Sequence, residues 1–241
     1  VSHYVKKGSA IEKEAIYRAT SVYLVDRTIP MLPEILSNDL CSLKPNEDKY
    51  AFSAVFEMTE DAEVVKEWFG RTVIHSDRRF TYEEAQTRLE TGEGDYSEEI
   101  QKFFHLASKL REIRFKNGGI DFNTEEVRFE LDEEGRPLRV KIKRMQEANK
   151  LIEDFMLLAN VRVARFLAKI HTDKNVPTRT SVYRIHDTPD PEKLCKLRAF
   201  VSRLGYEMAK PNKVNSESLI RDLLNFTKDT PIAETVKTMA I

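Results

Sequence analysis

Residues Thr20–Asp48 read Thr-Ser-Val-Tyr-Leu-Val-Asp-Arg-Thr-Ile-Pro-Met-Leu-Pro-Glu-Ile-Leu-Ser-Asn-Asp-Leu-Cys-Ser-Leu-Lys-Pro-Asn-Glu-Asp. Pro30, Pro33 and Pro45 each fix φ, and each pushes its predecessor toward an extended conformation. The apolar residues Ile29, Met31, Leu32, Ile35, Leu36, Leu40 and Leu43 follow neither a helical nor a strand period. Such a segment predicts a buried, irregular, proline-stiffened path that holds side chains in a site. The plain alternative is a buried connection with prolines at its bends.

Outward from this stretch, regular elements are legible on both sides. Upstream, Ile11, Ala15, Arg18, Ala19 and Val22 recur at helical spacing and predict a helix over Ala10–Tyr23, with Glu12 and Glu14 in its first turn. Downstream, Tyr50–Glu57 alternates and predicts a strand, with Glu67–Ile74 as its partner across a turn at Glu60–Glu63. Thr81 followed by acids starts a short helix over Tyr82–Glu90. Ser97 is the expected N-cap of a long helix over Glu98–Lys116, ended by Asn117-Gly118-Gly119. Val127–Leu131 and Leu138–Lys143 predict a hairpin, and Gln146–Lys169 a helix apolar over much of its circumference and therefore central. A strand over Ser181–His186 and helices over Pro191–Leu204, Leu219–Phe226 and from Ala233 complete the expectation.

Bulk properties narrow the function classes. The chain has 241 residues, 41% of them hydrophobic, which is enough for a core. Its 39 basic and 40 acidic residues leave a net charge of −1, which argues against binding nucleic acid by bulk charge alone but permits a local basic channel. Cys41 and Cys195 match no zinc spacing and are expected as free thiols in a reducing cytoplasm. No apolar run reaches the length of a membrane span and no signal peptide is visible, so a cytoplasmic location without a membrane partner is expected. Val1 falls within what reads as a strand, as if the chain were cut from a longer one.

The motif Ile29-Pro-Met-Leu-Pro-Glu-x-Leu-Ser-Asn-x-Leu-Cys-Ser-Leu-x-Pro-Asn46 resembles the RNB catalytic domain of the ribonuclease R and ribonuclease II family, the ribonuclease R branch more than the other. Val1-Ser2-His3-Tyr4-Val5 resembles the end of that family's Ala-Asp-Val-Ser-x-Tyr-Val strand. Gly118-Gly119-Ile120-x-Phe122, Ala148–Glu153 and Arg184-Ile185-His186-Asp187 fall in the family's order, so the resemblance covers nearly the whole chain. It implies a mixed α/β (α+β) fold, with a central mixed sheet and long helices, incomplete at both ends. The chain would be the central part, residues 1–241, of a single ribonuclease domain.

The resemblance also implies roles. Tyr23 would stack on a base at the closed end of an RNA channel, and stacking needs only a flat π-face. The alternative is a core or helix-end tyrosine. Phe122 would stand on the far side of the same base, its two glycines letting backbone approach closely. It competes with a buried strand phenylalanine. Tyr82, in Arg79-Phe80-Thr81-Tyr82, would bond the 2′-hydroxyl that separates RNA from DNA; its alternative is a helix-start tyrosine covering the core. Glu153 would contact the same ribose. A carboxylate on so apolar a helix needs a partner, and Arg162 or Arg165 stand nine and twelve residues away, too far along one helix.

The family hydrolyses phosphodiesters with Mg²⁺ on an Asp-x5-Asp-x-Asp-Asp cluster upstream of the Ala-Asp-Val-Ser strand, and carries a His-Phe-Thr-Ser-Pro-Ile-Arg-Arg-Tyr motif downstream. Neither is in this sequence. Asp187, Asp190, Asp61 and Glu63 read as solvated loop acids. His75, His105 and His171 share no metal-ligand spacing, and no phosphate loop or Ser/His/Asp arrangement is visible. The expectation is a segment with no catalytic residue, metal ligand or nucleotide cofactor of its own. It would hold single-stranded RNA for a processive, hydrolytic, magnesium-dependent 3′-to-5′ exoribonuclease that releases nucleoside monophosphates. The competing class is a non-catalytic RNB-like protein that binds RNA or acts as a scaffold.

Overall fold

The structure is a computed structural model that describes residues 1–119, 126–143, 145–172, 182, 185, 190–208 and 216–240. The chain divides into two compact units: Val1–Ser108 with Thr124–Val163, and Lys109–Asn123 with Ala164–Ile241.

In the first unit, helix α1 runs over Ala10–Arg18, with the Ser9 hydroxyl accepting the Glu12 amide. It stops five residues short of the expected Tyr23, because Ala19 takes a positive φ of 61°. Longer-range bonds hold the chain there. The Arg18 guanidinium donates to the Pro30 carbonyl (3.2 Å), and the Met31 amide donates to the Ser21 hydroxyl (3.0 Å). Val22–Tyr23 then forms strand β1, paired antiparallel with β2 at Thr28–Ile29. The proline-rich stretch is less irregular and less buried than expected. Ile35–Leu40 winds a single π-helical turn, in which Leu36 is buried while Ile35 faces solvent.

Strands β3 (Asp48–Met58) and β4 (Val64–His75) pair antiparallel along their length, with Tyr50 opposite Val73 and Phe52 opposite Arg71. Their turn closes where the Thr59 amide donates to the Glu63 carbonyl. Strands β5 (Glu126–Leu131) and β6 (Pro137–Lys143) form the expected second hairpin. The central mixed sheet does not appear. Among the described residues there are three separate two-stranded antiparallel pairs. Two reasons are physical. Val1–Val5, read as a strand, closes a turn on itself, the Tyr4 and Val5 amides both donating to the Val1 carbonyl. Among the described residues each hairpin strand also has one hydrogen-bonded neighbour, and Tyr50 and Phe52, like Val127, Phe129, Val140 and Ile142, are exposed.

Helix α2 (Tyr82–Thr91) opens on a capping box: the Thr81 hydroxyl accepts the Glu84 amide while the Glu84 carboxylate accepts the Thr81 amide. It ends at Gly92, whose left-handed φ of 71° suits glycine. Thr81→Ala is expected to cost about 1 kcal/mol of stability, read as a lower denaturant midpoint with an unchanged slope. Helix α3 (Ser97–Lys116) begins on Ser97 itself, one residue earlier than expected, and buries Ala107 completely. Helix α4 spans Glu147–Thr172. It buries Ala148, Asn149 and Asp154, but Ile152, Met156 and Val161 are exposed, so among the described residues it is not enclosed as its composition predicts. Phe103 of α3 meets Phe155 of α4 edge-to-face.

The second unit has its own core. Helices α5 (Pro191–Arg203), α6 (Ser216–Thr227) and α7 (Ala233–Ala240) bury Leu197, Val201, Leu223 and Val236 against one another. Helix α5 starts with Pro191 at its first position and the Asp190 carboxylate accepting the Glu192 amide. The Ser181–His186 strand lies outside the described residues apart from Val182 and Ile185. No described helix is long and apolar enough to cross a membrane. Cys41 and Cys195 are free thiols.

Candidate nucleic-acid interface

The residues expected to touch RNA lie, where described, in the first unit. Tyr23 stands on β1 opposite Thr28 with its side chain 79% exposed. That is neither the helix end nor the core position its structural alternative required. Tyr82 is the first residue of α2 and is 41% exposed. Glu153 is half-buried on α4. Phe122 lies outside the described residues.

Tyr82 lines a cavity of about 420 Å³ together with His75, Arg78, Phe80, Tyr96 and Ile152, the residue before Glu153. Three local arrangements build this hollow. The end of β4 delivers His75 and Ser76, and the Asn46 amide, last residue of the proline-rich motif, donates to the Ser76 carbonyl at 2.7 Å. The capping box fixes the first turn of α2. The Gln86 carboxamide of α2 accepts the Ala148 amide at the start of α4 (3.0 Å), which joins the helix of Tyr82 to the helix of Glu153. Asn149 locks that start in turn, its side chain accepting the Gln146 amide. Arg162, the partner considered for Glu153, instead meets Glu67 of β4 at 3.4 Å.

Arg78, on the cavity wall, belongs to a tied charge network. Arg78 donates to Asp95 (2.9 Å) and to Glu84 (3.0 Å), and Arg88 donates to Asp95 as well. The guanidinium carbons of Arg78 and Arg88 stand 4.7 and 4.9 Å from the Phe80 ring centroid. Arg88, followed by Arg78, holds the Asp95 carboxyl below the usual carboxylate range. The Thr81 amide, helped by Arg78, does the same for Glu84. Depressed carboxyls favour the folded form above their ordinary titration range, so the network persists at neutral pH. It is lost only as pH falls through values lower than an exposed carboxyl needs.

Sequence reasoning did not single out His75, Phe80 or Tyr96 for this hollow, nor Arg88 and Asp95 for the network beside it. Phe80 sat inside the quoted Arg79–Tyr82 run, but Arg78 and Asp95 are seventeen residues apart and no local period pairs them. Among the described residues no three His, Cys, Asp or Glu side chains gather as a metal site.

An apolar hollow with a phenol on its wall can accept a hydroxylated sugar, and an exposed aromatic such as Tyr23 can stack on a flat base. Comparison with known proteins gives the family of the chain. The sequence profile described as "RNB domain" matches residues 1–241. Ribonuclease R of Thermotoga maritima is 36% identical over the whole chain, which covers 34% of that protein. DIS3-like exonuclease 2 of Schizosaccharomyces pombe is 35% identical, again over the whole chain, which covers 27% of it. Among solved structures, Mycoplasma genitalium RNase R in complex with ribose-methylated single-stranded RNA superposes with a TM-score of 0.87 at 28% identity, covering all of this chain and 37% of that one. The chain thus spans about a third of the length of the relatives it matches.

Proposed function

Since this chain belongs to the RNB domain family, we propose that its 241 residues form the central, substrate-holding part of a single ribonuclease domain. The longer protein would be a processive, hydrolytic 3′-to-5′ exoribonuclease that degrades RNA to nucleoside monophosphates. The observation that supports this best is the joining of α2 and α4 around one hollow, with Tyr82 on its wall and Glu153 on the adjoining helix.

The division of labour follows from side-chain chemistry. Tyr23 and Phe122 grip the terminal base by stacking, which is indifferent to base identity and so suits an enzyme that must accept each nucleotide in turn. Tyr82 and Glu153 read the ribose: a phenol can donate to or accept from a 2′-hydroxyl, and a carboxylate accepts from it. With net charge near zero, the grip depends on these local contacts more than on a basic surface. The magnesium that the family resemblance implies finds no ligand set among the described residues, so no bond-breaking step is assigned to them.

The test uses the chain as it stands, with a 5′-labelled single-stranded RNA in Mg²⁺. The chain is expected to retain the RNA and leave its length unchanged. Magnesium-dependent shortening from the 3′ end would show that the catalytic machinery lies within these residues. Failure to retain the RNA would overturn the substrate-holding role.

A further inference from the structure

The Arg78–Asp95–Arg88 network flanks the segment that carries Tyr82, and nothing in the RNA-holding chemistry above uses it. Asp95 comes from the α2–α3 connection, Arg88 from the last turn of α2, and Arg78 from the chain leaving β4. The bonds run further than three side chains. Arg88 also donates to the Asp95 carbonyl (2.9 Å) and the Glu84 carbonyl (3.0 Å), and its side chain is only 14% exposed. Arg78 donates to the Arg79 carbonyl (2.8 Å) as well as to Glu84. Glu84 is the capping residue that holds the Thr81 amide at 2.8 Å. Phe80 lies beside both guanidiniums and meets Tyr96 edge-to-face, at a centroid separation of 6.1 Å.

Tyr82 therefore follows a residue whose amide and hydroxyl are both engaged by Glu84, and Glu84 is itself held by Arg78. The residue before that one, Phe80, is fixed by two arginines that share a single aspartate. We propose that Arg78, Asp95 and Arg88 are positioning residues for Tyr82, holding its phenol where a ribose 2′-hydroxyl is read and so setting preference for RNA over DNA. The proposal rests on the reading of Tyr82 as a ribose contact and extends it to residues that touch no substrate. A surface ion pair alone contributes little to stability. The function of this network is to remove slack from the backbone, since a contact displaced by a fraction of an ångström loses most of its hydrogen bond.

The experiment measures binding of matched RNA and DNA oligomers, at one fixed salt concentration, to the full-length protein carrying these residues. The variants are Asp95→Ala, Arg88→Lys, Tyr82→Phe and the Asp95→Ala/Tyr82→Phe double. Asp95→Ala is expected to lower the RNA-to-DNA affinity ratio about three- to tenfold, the weight of one ordinary hydrogen bond. Arg88→Lys keeps the charge but loses the two-pronged grip and should fall between Asp95→Ala and wild type. The double variant should show the ratio of Tyr82→Phe and no lower, because a phenol that is gone cannot be misplaced. If Asp95→Ala weakens RNA and DNA in parallel while Tyr82→Phe shifts the ratio, the network is merely structural; the proposal falls and the ribose reading stands. If Tyr82→Phe leaves the ratio unchanged, the ribose reading fails and the positioning role fails with it.

Discussion

Replacing Tyr23 with alanine is expected to weaken the grip on an RNA 3′ end by about 1–3 kcal/mol, roughly five- to 150-fold, in the longer protein that carries these residues. The size of the final short product should change as well. The structure strengthens this expectation over the sequence alone. A core tyrosine would have been buried, and its loss would have confounded binding with unfolding. Tyr23 instead stands 79% exposed on β1, where truncation changes stability by only about 0.5 kcal/mol. The lost affinity therefore reports the stack. Tyr23→Phe supplies the control: it keeps the π-face and should retain both affinity and product size. The measurement is a denaturing-gel analysis of end products alongside equilibrium binding. Wild-type products and affinity in Tyr23→Ala would remove this residue from the base clamp.

The two longer hairpins and most helices were legible because their signals are local. Thr81 followed by acids marked the start of α2, and the structure shows Thr81 and Glu84 closing a capping box there. The alternation of Val127 and Phe129 against Arg128 and Glu130 is the alternation of the two faces of β5. Pro191 marked the start of α5, whereas Asp190, read as a solvated loop acid, proves to be its N-cap. The failures were cases where a distant partner decides. Helical spacing carried α1 through to Tyr23, but Pro30 and Met31 capture Arg18 and Ser21 from ten or more residues away and turn the chain into β1. The composition of α4 predicted enclosure, yet Met156 and Val161 meet no apolar layer among the described residues. The expected central sheet needed strands beside β3 and β4, and Val1–Val5 closes a turn instead. At the candidate site, the resemblance named Tyr82 and Glu153; Tyr82 lines the hollow, and Glu153 lies on α4, whose Ala148 amide donates to Gln86 of α2. The arginines and aspartate that brace Tyr82 were invisible, because charge pairing across seventeen residues leaves no periodic trace.

Sugar discrimination is the second large effect, and it reaches the central claim. If Tyr82 and Glu153 both bond the ribose 2′-hydroxyl, RNA gains interactions that DNA cannot return. A neutral hydrogen bond of this kind contributes about 0.5–1.5 kcal/mol, and one accepted by a charged group about 1.5–3 kcal/mol. Tyr82→Phe removes the hydroxyl and keeps the ring that lines the hollow. Glu153→Gln keeps shape and polarity and removes the charge. Each should weaken RNA binding with little change for DNA, Glu153→Gln through loss of charge assistance and Tyr82→Phe through loss of the whole bond. The double variant should lose less than the two singles combined, since both residues serve the same group. The decisive measurement is the affinity of each variant for a matched RNA and DNA oligomer at one salt concentration. The account predicts an RNA-to-DNA ratio lowered several-fold in each of Tyr82→Phe and Glu153→Gln. A ratio that stays at its wild-type value in both single variants contradicts it, and returns Tyr82 and Glu153 to purely structural roles.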